Sequence, residues 1–338
     1  MVLTAGFGTR LSPLTHFIPK PLLPLEGPPL VGHTLGQLQR LGCEVTVLNL
    51  HHLGDQIRYR LGQSWHGMPL VYSPEEEIQG TLGALHPCRE ILGRSDAVIL
   101  VNGDSYCQWP WRALIRRHLN TDADATLLVH RRAPEESLGG GVGLDPKGRV
   151  VGLRDSEVGA VHSRHLFAGA HILSPRVLER IEAGFADIIA DLYIPLMQEG
   201  KTISSVVTNR RWYDLGTPDR YLETHLASTR GGWLRRRRRN MISPLAETAD
   251  DALVRGSLLA SGSTVGATAE VTESVVLENA RIPAGSRVHQ CILGPGVILP
   301  PSTNVERRMI NRVETGRPTG AGATVMGDLV YTPLTVES

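Results

Sequence analysis

Residues 6–25 read Gly-Phe-Gly-Thr-Arg-Leu-Ser-Pro-Leu-Thr-His-Phe-Ile-Pro-Lys-Pro-Leu-Leu-Pro-Leu, a glycine turn followed by one Arg and one Lys in a proline-stiffened loop. Gly6 and Gly8 let the backbone approach a ligand with its N–H groups turned inward, and Arg10 and Lys20 add positive charge, so the stretch is suited to phosphate. It is not a Walker loop, which ends in Gly-Lys-Ser/Thr, nor a Rossmann fingerprint, which has a third Gly or Ala where Leu11 stands. Two glycines alone also fit an ordinary strand-to-loop turn with a surface Arg and Lys.

Outward from this loop, short apolar runs at 45–50, 97–101 and 125–130 read as buried strands. Leu35, Leu38 and Leu41 fall at helical spacing and stop at Gly42, while Leu82, Leu85, Ile91 and Leu92 predict a further helix. Alternation of this kind up to residue 228 predicts an α/β domain, a doubly wound, mostly parallel sheet whose ligand site lies at the strand C-terminal ends. The glycine turn and Asn102-Gly103-Asp104 both fall at such ends.

The pattern then changes twice. Residues 229–252 hold Arg230-Gly231-Gly232-Trp233-Leu234 and five arginines from Arg235 to Arg239, read as a solvated basic linker in an otherwise neutral chain. From Val254 to Ile310 the residues Val265, Val271, Leu277, Ile282, Val288, Leu293 and Ile298 recur every five or six positions. That period predicts a short parallel β-helix of about three coils in 253–338, with an open end that calls for packing either against the first domain or against another subunit, the second alternative being a homo-oligomer through the β-helix.

The whole chain sets bounds on function. With 338 residues, 41% hydrophobic, it can bury a substantial core in two domains. A net charge of +1 favours neither nucleic acid nor membrane surface as partner. Cys43, Cys88, Cys107 and Cys291 lack paired spacing, which argues against a disulfide framework or zinc site and fits a reducing cytoplasm. No apolar run approaches a membrane span, and no charged region precedes a hydrophobic one at the N-terminus, so no export signal is expected. His130, His162, His165 and His171 have no zinc spacing and are assigned no role.

Two acidic residues complete the candidate chemistry. Asp104 follows Leu100-Val101-Asn102-Gly103 at a strand end, and Asp214 lies in Trp212-Tyr213-Asp214-Leu215-Gly216-Thr217-Pro218, before a helix expected at Pro218. A lone Asp in a turn is commonly just a turn former.

Taken together, the glycine turn with Thr-Arg-Leu, Pro-Leu-Thr, Pro-Lys-Pro-Leu, the Gly-Asp pair and the Trp-x-Asp-x-Gly-Thr-Pro segment resemble the sugar-phosphate nucleotidyltransferases (nucleoside-diphosphate-sugar pyrophosphorylases). The resemblance covers residues 1–228 well and the C-terminal repeats more loosely, where it implies a left-handed hexapeptide β-helix after a Rossmann-like nucleotidyltransferase domain. It implies Mg²⁺ on Asp104 and Asp214, Arg10 and Lys20 as catalytic cations, and nucleotide contacts from Ala5, Gly6, Gly8, Thr9 and Gly103. Gln79, Gly80 and Thr81, in Tyr72-Ser73-Pro74-Glu75-Glu76-Glu77-Ile78-Gln79-Gly80-Thr81, match the segment along the nucleobase, and Ala168 and Gly169 the segment on the sugar.

The implied substrates are a nucleoside triphosphate and a sugar-1-phosphate, and the layout resembles mannose-1-phosphate guanylyltransferases. Thymidylyl- and uridylyltransferases acting on glucose or amino-sugar phosphates, or a non-catalytic nucleotide-sugar-binding relative, are the rivals. Three departures from the family pattern stand out. Only Met1–Thr4 precede Ala5, Arg154-Asp155 takes the place of the Glu-Lys-Pro motif, and Phe167 replaces the Asn of Asn-Ala-Gly, so two of the three fall on the sugar side.

Overall fold

Strand β1 is only Val2–Leu3, yet it is paired on both edges, with Thr46–Leu50 (β2) and Val98–Asn102 (β4), both parallel. All five residues of β2 are buried, as expected for a strand covered on both faces. The computed structural model describes residues 1–131, 141–227, 240–317, 319 and 322–334. The chain divides into two compact units, Met1–Gly6 with Val31–Trp212, and Phe7–Leu30 with Tyr213–Ser338.

In the first unit, β2 also pairs in parallel with Met68–Pro74 (β3), giving the order β3-β2-β1-β4. The chain therefore winds outward from β1 in one direction and then in the other, and such a reversal opens a crevice beyond the C-terminal ends of β1 and β4. Beyond β4 lies the long strand Ser163–Leu173 (β8), antiparallel to β4, to Ala125–His130 (β5) and to Gly141–Leu144 (β6). Val150–Leu153 (β7) pairs with β6, and Ile203–Thr208 (β9) runs parallel to β5. The sheet is thus mixed, parallel where the glycine turn leaves it.

Helix α1 (Leu30–Leu41) buries Leu30, Leu35 and Leu38 and stops at Gly42, whose φ of +94° is left-handed. The helix expected around Leu82–Leu92 is instead three single turns, Gly80–Gly83, His86–Cys88 and Arg89–Leu92. Pro87 lacks the N–H that a continuous helix would need at that point. Trp111–Thr121 (α2) is amphipathic, with Trp111, Leu114 and His118 buried. The core joins Val47, Leu85, Leu100, Leu127, Leu173 and Leu196, with Tyr193 fully buried among them.

In the second unit, parallel strands stack at a step of 17 residues: Met241, Leu258, Val275, Ile292 and Met309 lie one above another. Three such sheets make the faces of a parallel β-helix. Its corners carry left-handed residues at the same step, Gly262, Asn279 and Gly296 at one and Gly256, Glu273, Gln290 and Arg307 at another. Ser257 and Ser274 line an inner rung, each hydroxyl accepting the N–H of the residue one coil on, Ser274 and Cys291.

Coil strands already begin at Met241. Val265, Val271, Leu277, Ile282, Val288 and Leu293 point inward as the period predicts, but Ile298 is 58% exposed and Val297 and Leu299 take the inner places. The last coil strand, Arg308–Arg312, is covered by the antiparallel strand Leu329–Pro333, which pairs in turn with Thr324–Met326, so the chain itself blunts that edge. The arginines at 235–239 lie outside the described residues. All four cysteines are free.

Candidate active site

The C-terminal edge of the parallel strands is knitted by polar side chains. Thr4, just after β1, donates its N–H to Asn49 Oδ1 (2.7 Å) and its hydroxyl to the Asn49 carbonyl. Asn49 Nδ2 donates to Glu75 Oε1 (2.8 Å), and Glu75 Oε2 accepts the Gln79 N–H (2.9 Å). Gln79 is thereby tied to the end of β1 through Asn49 and Glu75, both buried, which neither spacing nor charge singles out in the sequence.

Gly103 donates its N–H to the Leu3 carbonyl, and a Cβ there would lie 2.8 Å from Thr4 Cγ2. The residue before Asp104 is therefore glycine because β1 and β4 converge there. Asp104 follows with a partly buried side chain, and Ala5 is buried. Gly6 is exposed, and a Cβ on it would meet nothing within 4 Å.

Gly80 has φ +73°, and a Cβ would sit 2.4 Å from the Ala186 carbonyl oxygen. Thr81 Oγ1 accepts the Ile188 N–H (2.9 Å). This segment is packed backbone to backbone against 184–188, a reason for Gly80 that exists without any ligand. On the sugar-side segment, Gly169 (φ +78°) abuts Asn102, whose Nδ2 would lie 2.9 Å from a Cβ, and the Ala168 carbonyl accepts Trp212 Nε1–H (3.0 Å). Arg154 is engaged by Asp187 at 2.8 Å.

The second unit gathers charge. Lys20 Nζ lies 3.5 Å from Asp214 Oδ1, Arg10 Nη1 3.6 Å from Asp214 Oδ2, and Arg220 Nη1 3.5 Å from the same oxygen. Asp214 is 11% and Lys20 5% exposed at the side chain, whereas Arg10 is 53% exposed. Three cations thus converge on one carboxylate. Guanidinium and ammonium groups are the side chains that commonly meet phosphate oxygens.

Local folding explains the convergence. Gly8 is left-handed (φ +63°), its carbonyl accepts both the Leu11 N–H and the Thr15 hydroxyl, and a Cβ would lie 2.9 Å from Thr15 Cγ2. The turn projects Thr9 and Arg10 into solvent, and the Arg10 guanidinium lies over Gly216, where a Cβ would be 2.7 Å from Nη2. Pro19 and Pro21 fix the backbone around Lys20, and Tyr221 of the helix Pro218–Ala227 donates its hydroxyl to the Pro24 carbonyl (2.8 Å). The last coil braces the loop from its other side, with Arg312 Cζ 5.2 Å from the Phe17 ring centroid and Glu314 Oε2 3.6 Å from His16 Nδ1.

Of the residues singled out in the sequence, Arg10, Lys20 and Asp214 are thus brought together, and Asn49, Glu75 and Arg220 join the polar clusters unannounced. Asp104 belongs to the other unit. His171 is buried against the Tyr193 hydroxyl (2.5 Å), and burial lowers its pKa to about 3, so it is a neutral core residue.

Residues 1–231 match the family model described as Nucleotidyl transferase. The chain belongs to the nucleotidyl transferase family. Members of this enzyme family bind nucleoside triphosphates and sugar phosphates and generally use divalent metals. Residues 237–317 of this nucleotidyl transferase match a GlmU-like C-terminal hexapeptide model.

Among curated relatives it is 31% identical over 225 residues to the mannose-1-phosphate guanylyltransferase catalytic subunit beta of Drosophila pseudoobscura pseudoobscura, covering 66% of this chain and 60% of that protein. The chain thus spans about 60% of the length of the first curated relatives it matches. It is 27% identical over 349 residues to a probable mannose-1-phosphate guanylyltransferase 3 of Oryza sativa subsp. japonica, covering 98% of this chain and 93% of that one. Its fold is shared by HddC from Yersinia pseudotuberculosis (TM-score 0.55, 24% identity, 66% of this chain and 96% of that one) and by the same protein complexed with GMP-PN (TM-score 0.55, 22% identity, the same coverage). Among the described residues no helix is long and apolar enough to cross a membrane.

Proposed function

We propose that this nucleotidyl transferase moves a nucleotidyl group from a nucleoside triphosphate to a sugar-1-phosphate, with GTP and mannose-1-phosphate as the preferred pair. The observation that carries the reading is the Asp214 cluster, where Arg10, Lys20 and Arg220 converge on one carboxylate. The choice of GTP and mannose-1-phosphate rests on the names of the relatives. Thymidylyl or uridylyl transfer to other sugar phosphates is the competing outcome of the same test.

In the reaction, an oxygen of the sugar-1-phosphate attacks the α-phosphorus, a new P–O bond forms, and the bond from that phosphorus to the β-phosphate oxygen breaks to release pyrophosphate. The nucleophile is already ionised at neutral pH, so no protein base is required and the work is positioning and charge neutralisation. Lys20, nearly closed to solvent, supplies a localised ammonium for the reacting phosphate. Arg10, half exposed, turns its fork to the departing phosphates, while Arg220 keeps Asp214 oriented. Backbone N–H groups of Ala5, Gly6, Gly8 and Thr9 meet the triphosphate, Gly103 keeps the crevice floor thin, and the Gln79–Gly80–Thr81 segment, fixed through Glu75, lies along the base. Ala168 and Gly169 line the sugar.

The donor chemistry fits Mg²⁺. Among the described residues no group of three or more His, Cys, Asp or Glu forms a metal cage, and Mg²⁺ is ordinarily held by one or two carboxylates with substrate phosphates completing its shell. Asp104 and Asp214 are the residues assigned to it. When bound, Mg²⁺ would add charge neutralisation at the phosphates.

The test is pyrophosphate release from the common nucleoside triphosphates against several sugar-1-phosphates, with Mg²⁺ or with EDTA. GTP with mannose-1-phosphate should lead and EDTA should abolish it. Folded protein inactive with every pair would overturn the proposal.

A further inference from the structure

Away from the Asp214 cluster, the first unit contains an open cleft of about 480 Å³ whose lining includes Arg40, Arg112, Arg116 and Arg210, with no acidic residue among the lining side chains. Each of these arginines is exposed, and among the described residues none of the four forms an ion pair. Elsewhere in this unit surface arginines do find carboxylates, as Arg176 does with Asp122 and Asp124 and Arg180 with Glu199. Here four guanidiniums are gathered in one concavity with their charge uncompensated, which focuses positive potential into it.

The wall behind them is rigid. Gln37 of α1 donates Nε2–H to the Cys107 carbonyl (2.8 Å) and accepts the Trp109 N–H at Oε1 (2.9 Å), which fixes α1 to the segment leading into α2. Trp109 donates its indole N–H to Thr34 Oγ1 (3.2 Å) and packs on Trp111 with ring centroids 5.6 Å apart. Trp111, which lines the cleft and is only 5% exposed, has an indole N–H with no acceptor. Buried donors of this kind are normally satisfied, and leaving one unmade costs about 1–3 kcal/mol.

Arg112 and Arg116 stand four residues apart on α2, adjacent on one helix face, where like charges repel. They and Arg40 stand on two helices, α1 being tied by Gln37 to the segment that leads into α2, and guanidinium forks are suited to phosphate oxygens. The cleft is not the crevice described above. Its lining includes none of the residues of the crevice or of the Asp214 cluster: it is made by Gln37, Arg40 and Leu41 at the end of α1, by residues 109–113 and Arg116, and by Arg210.

We propose that this cleft is a second ligand site, separate from the substrate site, that binds a phosphate-bearing small molecule through Arg40, Arg112, Arg116 and Arg210 over the Trp109–Trp111 floor. Its volume suits a ligand of nucleotide or sugar-phosphate size. Binding there would relieve the repulsion between Arg112 and Arg116 and stabilise the fold by linkage.

The test uses inorganic tripolyphosphate as probe on the full chain without Mg²⁺, followed by calorimetry and thermal melting. Wild-type protein should show two sites. Lys20→Met should weaken one and leave the other, and Arg112→Ala with Arg116→Ala should weaken the second at least 10-fold, lower the probe's shift in melting temperature and, with no probe, melt no lower than wild type. If the double substitution leaves tripolyphosphate binding unchanged, the proposal is overturned. Loss of oligonucleotide or acidic-protein binding in that double variant, with no tripolyphosphate site in wild type, would overturn it in favour of a macromolecular partner. If only the Lys20→Met arm is silent, the substrate-site reading fails while this site stands.

Discussion

Lys20 Nζ and Asp214 Oδ1 lie 3.5 Å apart, a pair formed across almost two hundred residues and nearly shut off from water, with side chains 5% and 11% exposed. An ion pair this enclosed is retained at a cost in desolvation and is weak evidence of stabilisation in itself. Two arginines lie on the same carboxylate. On the proposed function, the carboxylate holds the cations in place for phosphate.

Lys20→Met should therefore leave a folded protein, since Asp214 retains Arg10 and Arg220. Pyrophosphate release should fall by about 100-fold or more, the usual loss when one preorganised charge stabiliser is removed. Steady-state kinetics beside circular dichroism check this, and near-normal turnover would remove Lys20 from the mechanism.

Asp214→Asn separates charge holding from phosphate holding. Mg²⁺-dependent turnover should collapse, while pyrophosphate binding without metal should tighten because the Asp214 charge no longer competes with phosphate for these cations. Calorimetry in EDTA reads the second effect, and weaker binding would mean that the carboxylate does not compete with phosphate.

Two glycines should respond in opposite ways. Gly80→Ala puts a methyl 2.4 Å from the Ala186 carbonyl at a left-handed φ and should cost about 2 kcal/mol or more of stability. Gly6→Ala meets nothing within 4 Å, so its melting temperature should stay put while activity drops if ligand approaches the backbone there. Denaturant melts and initial rates on both variants provide the comparison.

Acid should destabilise the first unit through His171. Its folded pKa of about 3 lies below the ordinary 6.5 because burial disfavours the charged ring. The unfolded chain therefore binds the extra proton first, and stability is intact above about pH 6.5 and falls as pH drops toward 3, at most about 1.4 kcal/mol per pH unit. His171→Phe should flatten that slope in urea melts between pH 6.5 and 4; an unchanged slope would show that His171 is not the group responsible. His225, lowered to about 4 by burial, keeps part of the dependence in the variant.

Much of this was readable from local pattern. Leu35, Leu38 and Leu41 announce α1, the run at 125–130 is a strand of the same extent, and the two prolines around Lys20 mark a fixed cation. Arg220 was not readable, because its partnership with Asp214 depends on how the chain turns at Gly216 before the helix that starts at Pro218. Asn49 and Glu75 were hidden for a similar reason: they sit at the ends of separate strands, and only the parallel register of β2 and β3 puts them within reach. In the β-helix, aliphatic period alone misplaced Ile298, since the 17-residue coil is one residue short of three hexapeptides and the inward positions slip accordingly.

The central claim, nucleotidyl transfer at the Arg10–Lys20–Asp214 cluster, is tested most directly in reverse. Labelled pyrophosphate is incubated with GDP-mannose and Mg²⁺, and label entering GTP is counted for wild type and Lys20→Met. The account predicts rapid, EDTA-sensitive labelling in the wild type and about 100-fold less in the variant. Equal labelling in both, or none from any nucleotide sugar with folded wild-type protein, would contradict it.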